Sequence, residues 1–327
     1  MHASGPGSRA GSPILALDVG GTKTTVAAFA GPPTGELRPL RPIVRFTTPR
    51  DPNAFLDALA SAATDALPPG THPAAIGAGV PGPLDAAAGI VHYSTNLGWR
   101  DLPFSALVSE RFGGVPVSMD DDANAGALGE AFAGAGRGAD PFVYLPLGTG
   151  LGSGVIVGGA VVAGAHGAAG EVGHLAFGDR DGPRCNCGLR NCVETWCAGL
   201  GLARRAKETW PAARLSDGTR APRDAMAVFA LARTGDPEAV ALVAKARRAL
   251  ATALAAVMAA LDPAVVCVGG SIGLAEPGFT RDAFRDATSL VHWATGRRTR
   301  LRRPLLGDAS VLLGAAVLGA RAAGSDA

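Results

Sequence analysis

The feature that most limits what this chain can become occurs twice: a short apolar run, a glycine-rich turn, and a second run returning beside the first. The first copy runs from Ile14 to Leu17, turns at Val19-Gly20-Gly21-Thr22 and returns through Thr24 to Phe29. The second runs from Phe142 to Leu147, turns through Gly148-Thr149-Gly150-Leu151-Gly152-Ser153-Gly154 and continues as Val155 to Val157. Apolar runs of this length bounded by glycine read as buried strands joined in hairpins. At 327 residues the chain exceeds the usual span of one core, so two lobes around a cleft are expected, each opening on one hairpin. The expectation is a duplicated α/β domain.

Between the hairpins, Ala54 to Leu67 has helical apolar spacing, Ala75 to Val80 reads as a strand ending at Pro81-Gly82-Pro83, and a loop passes through Asn96. A strand around Val115 to Met119 then leads through Asp120-Asp121-Asp122 into a helix from Ala125 to Phe132. Helices are expected from about Trp196, a buried helix over Ala249 to Leu261 stopped by Asp262-Pro263, a strand from Val265, and a last helix over Ala309 to Ala322. The Ala249–Leu261 segment is too short to cross a bilayer. Residues 1–12, rich in Gly, Ser and Pro, read as a disordered tail, and no secretory signal is expected. The net charge of +2 gives no field that would favour nucleic acid or a membrane surface, and the run Arg297 to Arg303 reads as a solvated patch. The chain is expected to be soluble and cytoplasmic.

Asp18-Val19-Gly20-Gly21-Thr22-Lys23 puts a carboxylate at a strand end beside two residues without side chains, so backbone N–H groups can approach a metal-bound polyphosphate. A structural hairpin needs the same glycines. The turn at Gly148–Gly154 is a second phosphate candidate, Thr149 and Gly150 included. Gly269-Gly270-Ser271, where adenosine could lie on bare backbone, is a third element facing the same cleft. No Gly-x-x-x-x-Gly-Lys-Ser/Thr loop is present, and the stretch Gly148–Gly154 lacks Gly-x-Gly-x-x-Gly spacing and feeds a strand rather than a helix. Asp122 is the strongest general-base candidate, since phosphoryl transfer needs a carboxylate to orient and deprotonate the attacking hydroxyl. Asp120, Asp121 and Asp122 also fit an acidic helix start or a cation site.

Of five cysteines, Cys185, Cys187 and Cys192 cluster, with His174 upstream: the donor set of a closed tetrahedral zinc site. Cys197 is an alternative fourth ligand, and Cys267 reads as core. Glu171 and Glu194 bracket the cysteines, so a metal that pins the loop would fix two carboxylates and a histidine as acceptors and donors for a neutral sugar. Solvated loop carboxylates are the bland alternative.

In order, these motifs resemble the ROK family (repressor, open reading frame, kinase) of bacterial sugar kinases and sugar-sensing regulators. The resemblance runs from Ile14 through Leu17–Lys23, Gly79–Pro83, Thr95-Asn96-Leu97-Gly98-Trp99, Asp122-Ala123-Asn124, Ala127–Glu130, Gly148–Gly150, Gly170–His174, the cysteine loop with Glu194, and Gly314-Ala315-Ala316. It implies the actin-like ATPase fold, a duplicated ribonuclease H-like arrangement. The N-terminal lobe would span 13–130 and be joined by a C-terminal helix at about 309–324, and the C-terminal lobe with the zinc loop would span 131–308. It further implies a homodimer or higher assembly, Asp122 as base, and Gly82, Asn96, Asp122, Glu171, His174 and Glu194 around a hexose, with Thr95 and Asp121 beside them. Asp18, Gly20, Gly21, Thr22, Lys23, Thr149 and Gly150 would face ATP·Mg²⁺, and His174 would bind Zn²⁺ through one ring nitrogen and meet the sugar with the other.

Two positions depart from that pattern: Asp121 stands where the family has Asn, and Asn191 where it often has Gly. Asp121 removes an amide donor and sets a second carboxylate beside Asp122, which is expected to raise the pKa of one of the two. Asn191 is expected to tolerate a left-handed backbone. The expected activity is phosphorylation of a hexose 6-hydroxyl, glucose first, with fructose, mannose and N-acetylhexosamines as rivals; Glu194-Thr195-Trp196 looks more like members that use fructose or amino sugars. About a dozen residues precede the first strand, which argues against a DNA-binding regulator, and a catalytically silent sugar binder is the remaining alternative.

Overall fold

The structure, a computed structural model, describes residues 13–30, 38–94, 96–179, 181–215 and 218–324; the 1–12 tail and Thr95 lie outside the described residues. Ile14–Val19 (β1) and Lys23–Phe29 (β2) form the first hairpin, and Val44–Thr47 (β3) pairs with the outer edge of β2. Helix α1 (Pro52–Ala66) starts two residues earlier than its apolar spacing suggests, because Asp51 caps it by accepting the Ala54 N–H at 2.8 Å and proline occupies its first turn. Ala75–Gly79 (β4) then lies parallel to β1. Leu84–Asp85 (β5), Ile90–Ser94 (β6) and Trp99–Leu102 (β7) make a small separate sheet, followed by α2 (Phe104–Arg111), Val117–Asp120 (β8) parallel to β4, and α3 (Asp122–Ala133).

The second hairpin is Phe142–Pro146 (β9) with Gly154–Val157 (β10), extended by Ala160–Val161 (β11). The helices α4 (Glu194–Cys197), α5 (Gly199–Thr209), α6 (Ala225–Arg233) and α7 (Pro237–Leu261) follow. After them come Val265–Gly269 (β12), α8 (Gly270–Ala275), α9 (Pro277–Thr288), α10 (Trp293–Arg298), Arg300–Arg302 (β13) and α11 (Ser310–Ala322). Helix α7 begins twelve residues before the expected Ala249. Asp236 caps it, Pro237 opens it, and Ala239, Leu242 and Ala246 continue its buried stripe past the charged Lys245, Arg247 and Arg248.

The two five-stranded sheets run β3-β2-β1-β4-β8 and β11-β10-β9-β12-β13. Each is an antiparallel meander of three strands whose first strand also pairs in parallel with a later one, and a second parallel strand closes the edge. The expected duplication is therefore present strand for strand. Parallel neighbours need long crossovers, and the helices supply them.

The chain divides into two units: Met1–Arg137 with Ala163–Ala168 and Asp308–Ala327, and Gly138–Val162 with Ala169–Gly307. Each has its own core. In the first, Phe55 packs edge-on against Trp99 and also meets Phe104; in the second, α7 is buried among β9, β12, α6 and α9, with Phe229 against Phe279. Helix α11 belongs to the first unit, where small residues let it touch backbone. A Cβ on Gly77 would stand 1.8 Å from the Ala315 carbonyl oxygen, and one on Gly314 would stand 1.7 Å from that of Ala125. Among the described residues, no helix is long and apolar enough to cross a membrane.

Candidate active site

In the first unit the parallel strands end together. Asp18 pairs in register with Gly79, and Gly79 with Asp120, so the two aspartates flank a glycine with roughly 5 Å between neighbouring strands. Gly79 leaves room for α3: a Cβ there would lie 3.9 Å from the Cα of Asp122 and 2.4 Å from Val311. The turn after β1 is held by Gly20 N–H to the Lys23 carbonyl (3.0 Å) and by Thr48, whose hydroxyl donates to the Gly20 carbonyl (2.8 Å) and whose N–H donates to that of Thr22 (3.0 Å). Thr48 carries no motif and was not legible from the sequence. Thr22 and Lys23 are exposed.

Asn96 lies over this turn, since a Cβ on Gly21 would come within 2.5 Å of its Cβ. Buried Leu97 and Trp99 anchor the loop, and the Trp99 indole N–H donates to the Arg50 carbonyl at 2.8 Å. Gly82, at φ +116, passes so close to the Tyr93 carbonyl oxygen that any side chain would collide with it.

Asp122 is the exposed first residue of α3, where the N-terminal end of the helix dipole favours a carboxylate. Its neighbours have other work. Asp121 caps α3, accepting the Asn124 N–H (2.8 Å) and, through its other oxygen, the Asn124 side-chain amide (2.7 Å). Asp120, buried at the strand end, accepts the Asp121 N–H (2.8 Å) and the same Asn124 amide (2.9 Å). Each oxygen of Asp121 thus accepts one hydrogen bond from Asn124 as the cap of α3. Asn124, which sequence reasoning passed over as part of a motif, ties the two acids together. Burial raises the Asp120 carboxyl above its usual range despite those hydrogen bonds. Asp18 is pushed up to about 6, first by burial and next by the Asp122 charge, against the opposing pull of Lys23. A buried carboxylate strained by a second negative charge is a site that a cation would relieve, which fits Mg²⁺.

In the second unit Gly170-Glu171-Val172-Gly173-His174 forms a 3₁₀ turn over Val172–His174 seated on the Leu151–Ser153 backbone. A Cβ on Gly173 would stand 2.1 Å from the Leu151 carbonyl oxygen, and one on Gly170 2.5 Å from that of Ser153. The glycines dock the turn. His174 Nδ1 lies 3.6 Å from Cys185 Sγ, and its Nε2 lies 3.6 Å from Glu171 Oε2. Glu194, at the start of α4 rather than in the loop, sets Oε1 3.0 Å from Cys185 Sγ and 3.6 Å from His174 Nδ1; its Oε2 accepts the Leu151 N–H at 3.5 Å. The Gly148–Gly150 turn is fastened below, with Gly199 N–H on the Gly148 carbonyl (2.8 Å) and Leu200 N–H on that of Thr149 (3.1 Å).

The donor atoms of His174, Cys185, Cys187 and Cys192 all lie within 4.8 Å of one another. Cys187 and Cys192 are 3.7 Å apart at sulfur, and tetrahedral Zn–S bonds of about 2.3 Å would put two sulfurs about 3.8 Å apart. Burial pushes the Cys185 and Cys192 thiols up, so thiolates there require a cation. The set fits a closed zinc site. Cys197 is not part of it: its thiol donates to the Val193 carbonyl inside α4, and Cys267 is wholly buried in β12. Asn191 is left-handed, at φ 56, and does more than tolerate it. Its amide donates to the carbonyls of Phe177 and Asp179, and its oxygen accepts the Trp196 indole N–H at 2.7 Å.

Gly269 and Gly270 have packing reasons of their own. A side chain at 269 would strike Tyr144, and Gly270, at φ +75, abuts the Leu147 backbone. The glycines alone therefore carry no evidence for adenosine, although Ser271 adjoins the Gly148 turn at 3.4 Å from where a Cβ would stand.

Residues 14–322 match the sequence profile of the ROK family. The chain belongs to the ROK family. A glucokinase of Streptomyces coelicolor is 33% identical over 317 residues, covering 93% of this chain and 96% of that one. The crystal structure of a ROK hexokinase from Thermus thermophilus superposes with a TM-score of 0.78 at 35% identity, covering 94% of this chain and 97% of that one. A ROK glucokinase from Streptomyces griseus, crystallised with glucose and AMPPNP, gives 0.76 at 30% identity over 95% of this chain and all of that one. The actin-like ATPase fold of the ROK kinases is the fold of this chain.

Proposed function

We propose that this ROK protein is an ATP-dependent hexose kinase that transfers the γ-phosphoryl group to the 6-hydroxyl of a hexose, glucose first. The observation that carries the reading is the exposed carboxylate of Asp122 at the start of α3, backed by Gly79 and close enough to Asp18 to shift its ionisation. An exposed base can meet a hydroxyl, and a buried acid beside it can help hold a cation. Asp122 accepts the proton of the attacking hydroxyl. The Gly20–Lys23 and Gly148–Gly150 turns offer backbone N–H groups and one ammonium to the phosphates, Asp18 helps to hold Mg²⁺, and that ion supplies charge screening. Asn96, Glu171, His174 and Glu194 orient sugar hydroxyls. His174, Cys185, Cys187 and Cys192 would hold a zinc ion that braces the loop, with one His174 ring nitrogen on the metal and the other free to meet the sugar. Relatives named glucokinase, one of them crystallised with glucose and an ATP analogue, support glucose as the first acceptor.

A coupled ADP-release assay with Mg·ATP against glucose, fructose, mannose, N-acetylglucosamine and N-acetylmannosamine tests this. Glucose should turn over best, and Asp122→Asn should lower kcat by about 10²–10⁴ with KM little changed. ADP release from no sugar would leave a silent binder as the better account, and full activity in Asp122→Asn would remove the base. The enzyme is further proposed to be a homodimer, which light scattering on the full chain measures.

A further inference from the structure

The cysteine loop and helices α4, α5 and α7 of the second unit line an open groove of about 590 Å³ that takes no part in the proposed phosphoryl transfer. Its walls carry Arg184, Arg190, Arg204, Arg205 and Lys245 around Trp196, against two carboxylates, Asp181 and Glu208. Three observations go beyond a basic patch. Arg205 is only 9% exposed, and its Nε has no hydrogen-bond partner among the described residues. One of its terminal nitrogens reaches Glu208 at 2.6 Å, which leaves a largely desolvated guanidinium under-satisfied.

Arg184 and Arg190 stand opposite each other in an isolated antiparallel bridge, where like charges repel. Both are exposed, with no side-chain partner among the described residues. Lys245 Nζ lies 3.6 Å from the Trp196 ring centroid and the Arg205 guanidinium 5.4 Å from it, so the indole gathers two cations at the groove.

We infer that this groove is a binding site for a small phosphate-bearing anion, distinct from the phosphate-binding turns proposed for ATP. Guanidinium forks match phosphate oxygens in pairs, and an anion of charge near −2 answers the excess of cations that a monocarboxylate would leave. The volume exceeds that of phosphate alone and admits an attached sugar ring. The groove shares its loop with Cys185 and Cys187, and through Trp196 and Asn191 it shares α4 with Glu194, so an occupant bears directly on the metal loop.

Isothermal titration of the full chain, its proposed active site filled by saturating glucose and AMPPNP, with inorganic phosphate and, separately, glucose 6-phosphate tests the site. Wild type should bind at least one of them. The exposed pair Arg184→Glu with Arg190→Glu should weaken that binding at least tenfold at unchanged melting temperature, while Lys23→Ala, in the turn proposed for ATP, should leave it unchanged. Arg190→Ala alone serves the same purpose if the pair lowers the melting temperature. Tenfold tighter binding of glucose 6-phosphate than of phosphate identifies a sugar-phosphate site, and equal affinity a site for the phosphate group. Absence of binding at millimolar concentration, binding that survives the arginine substitutions, or binding lost on Lys23→Ala overturns the inference.

Discussion

At Asp18 the pH dependence has a definite sign. Its carboxyl is raised from 3.8 to about 6 by burial and by Asp122, so in the metal-free protein the folded state holds a proton that the unfolded state releases. Stability from this group is then full below the unfolded value and is lost as pH rises toward the folded one, by about 3 kcal/mol in all. Asp18→Asn should therefore match wild type in denaturant unfolding near pH 3.5 and become the more stable protein by pH 7.5, with the gap opening between about pH 4 and 6. A constant gap across that range would refute the assignment. At Asp121 the structure adds a local role. The residue caps α3, and an Asn there would keep the cap while turning an amide toward the Asn124 amide that now donates to it. Asp121→Asn should cost about 1 kcal/mol of stability in the same experiment, and Asp121→Ala up to about 2. The acidic run was legible in the sequence, but its division of labour was not. Three adjacent aspartates look alike until the end of β8 and the first turn of α3 point them in different directions.

The element that couples chemistry to architecture is the cysteine loop. Its donor spacing could be read directly, because Cys-x-Cys and a third cysteine five residues on put three sulfurs within reach of one ion. The reason for Asn191 could be anticipated only in part, since its hydrogen bonds to Phe177, Asp179 and Trp196 join residues that are apart in sequence. A chelator should raise the KM for sugar at least tenfold and leave the KM for ATP within about twofold, because the proposed zinc would hold Glu171, His174 and Glu194 in place and leave the ATP turns untouched. Equal effects on both would argue against that division. The packing of α11 on α3 is as demanding: Gly314→Ala drives a methyl into the Ala125 carbonyl, and a loss of about 3 kcal/mol or more is expected in thermal or denaturant unfolding. Gly113→Ala, where nothing lies within 4 Å but φ is +76, should cost about 1–2 kcal/mol through backbone strain alone.

On the scale of the whole molecule, the chain ends by completing the unit with which it began. A protein cut after Gly307 lacks α11, and Gly77, Gly129 and the buried carboxylate of Glu130, which accepts the Ser310 hydroxyl at 2.8 Å, lose the helix they are shaped for. Hydrogen exchange on such a truncation should find β1 and β4 unprotected while α7 and β12 keep their protection; protected β1 and β4 would count against the need for α11, and unprotected α7 and β12 against two separate cores. The duplicated hairpins, the donor set at the cysteines and the strands behind Asp18 and Asp122 were readable along the chain, because each is a local pattern of burial, turn or spacing. The N-cap work of Asp121, the brace of Thr48 on the Gly20 turn, the packing demands on Gly269 and Gly270 and the convergence of five cations around Trp196 were not. Each depends on residues distant in sequence meeting at short range, and such encounters are set by how the elements pack.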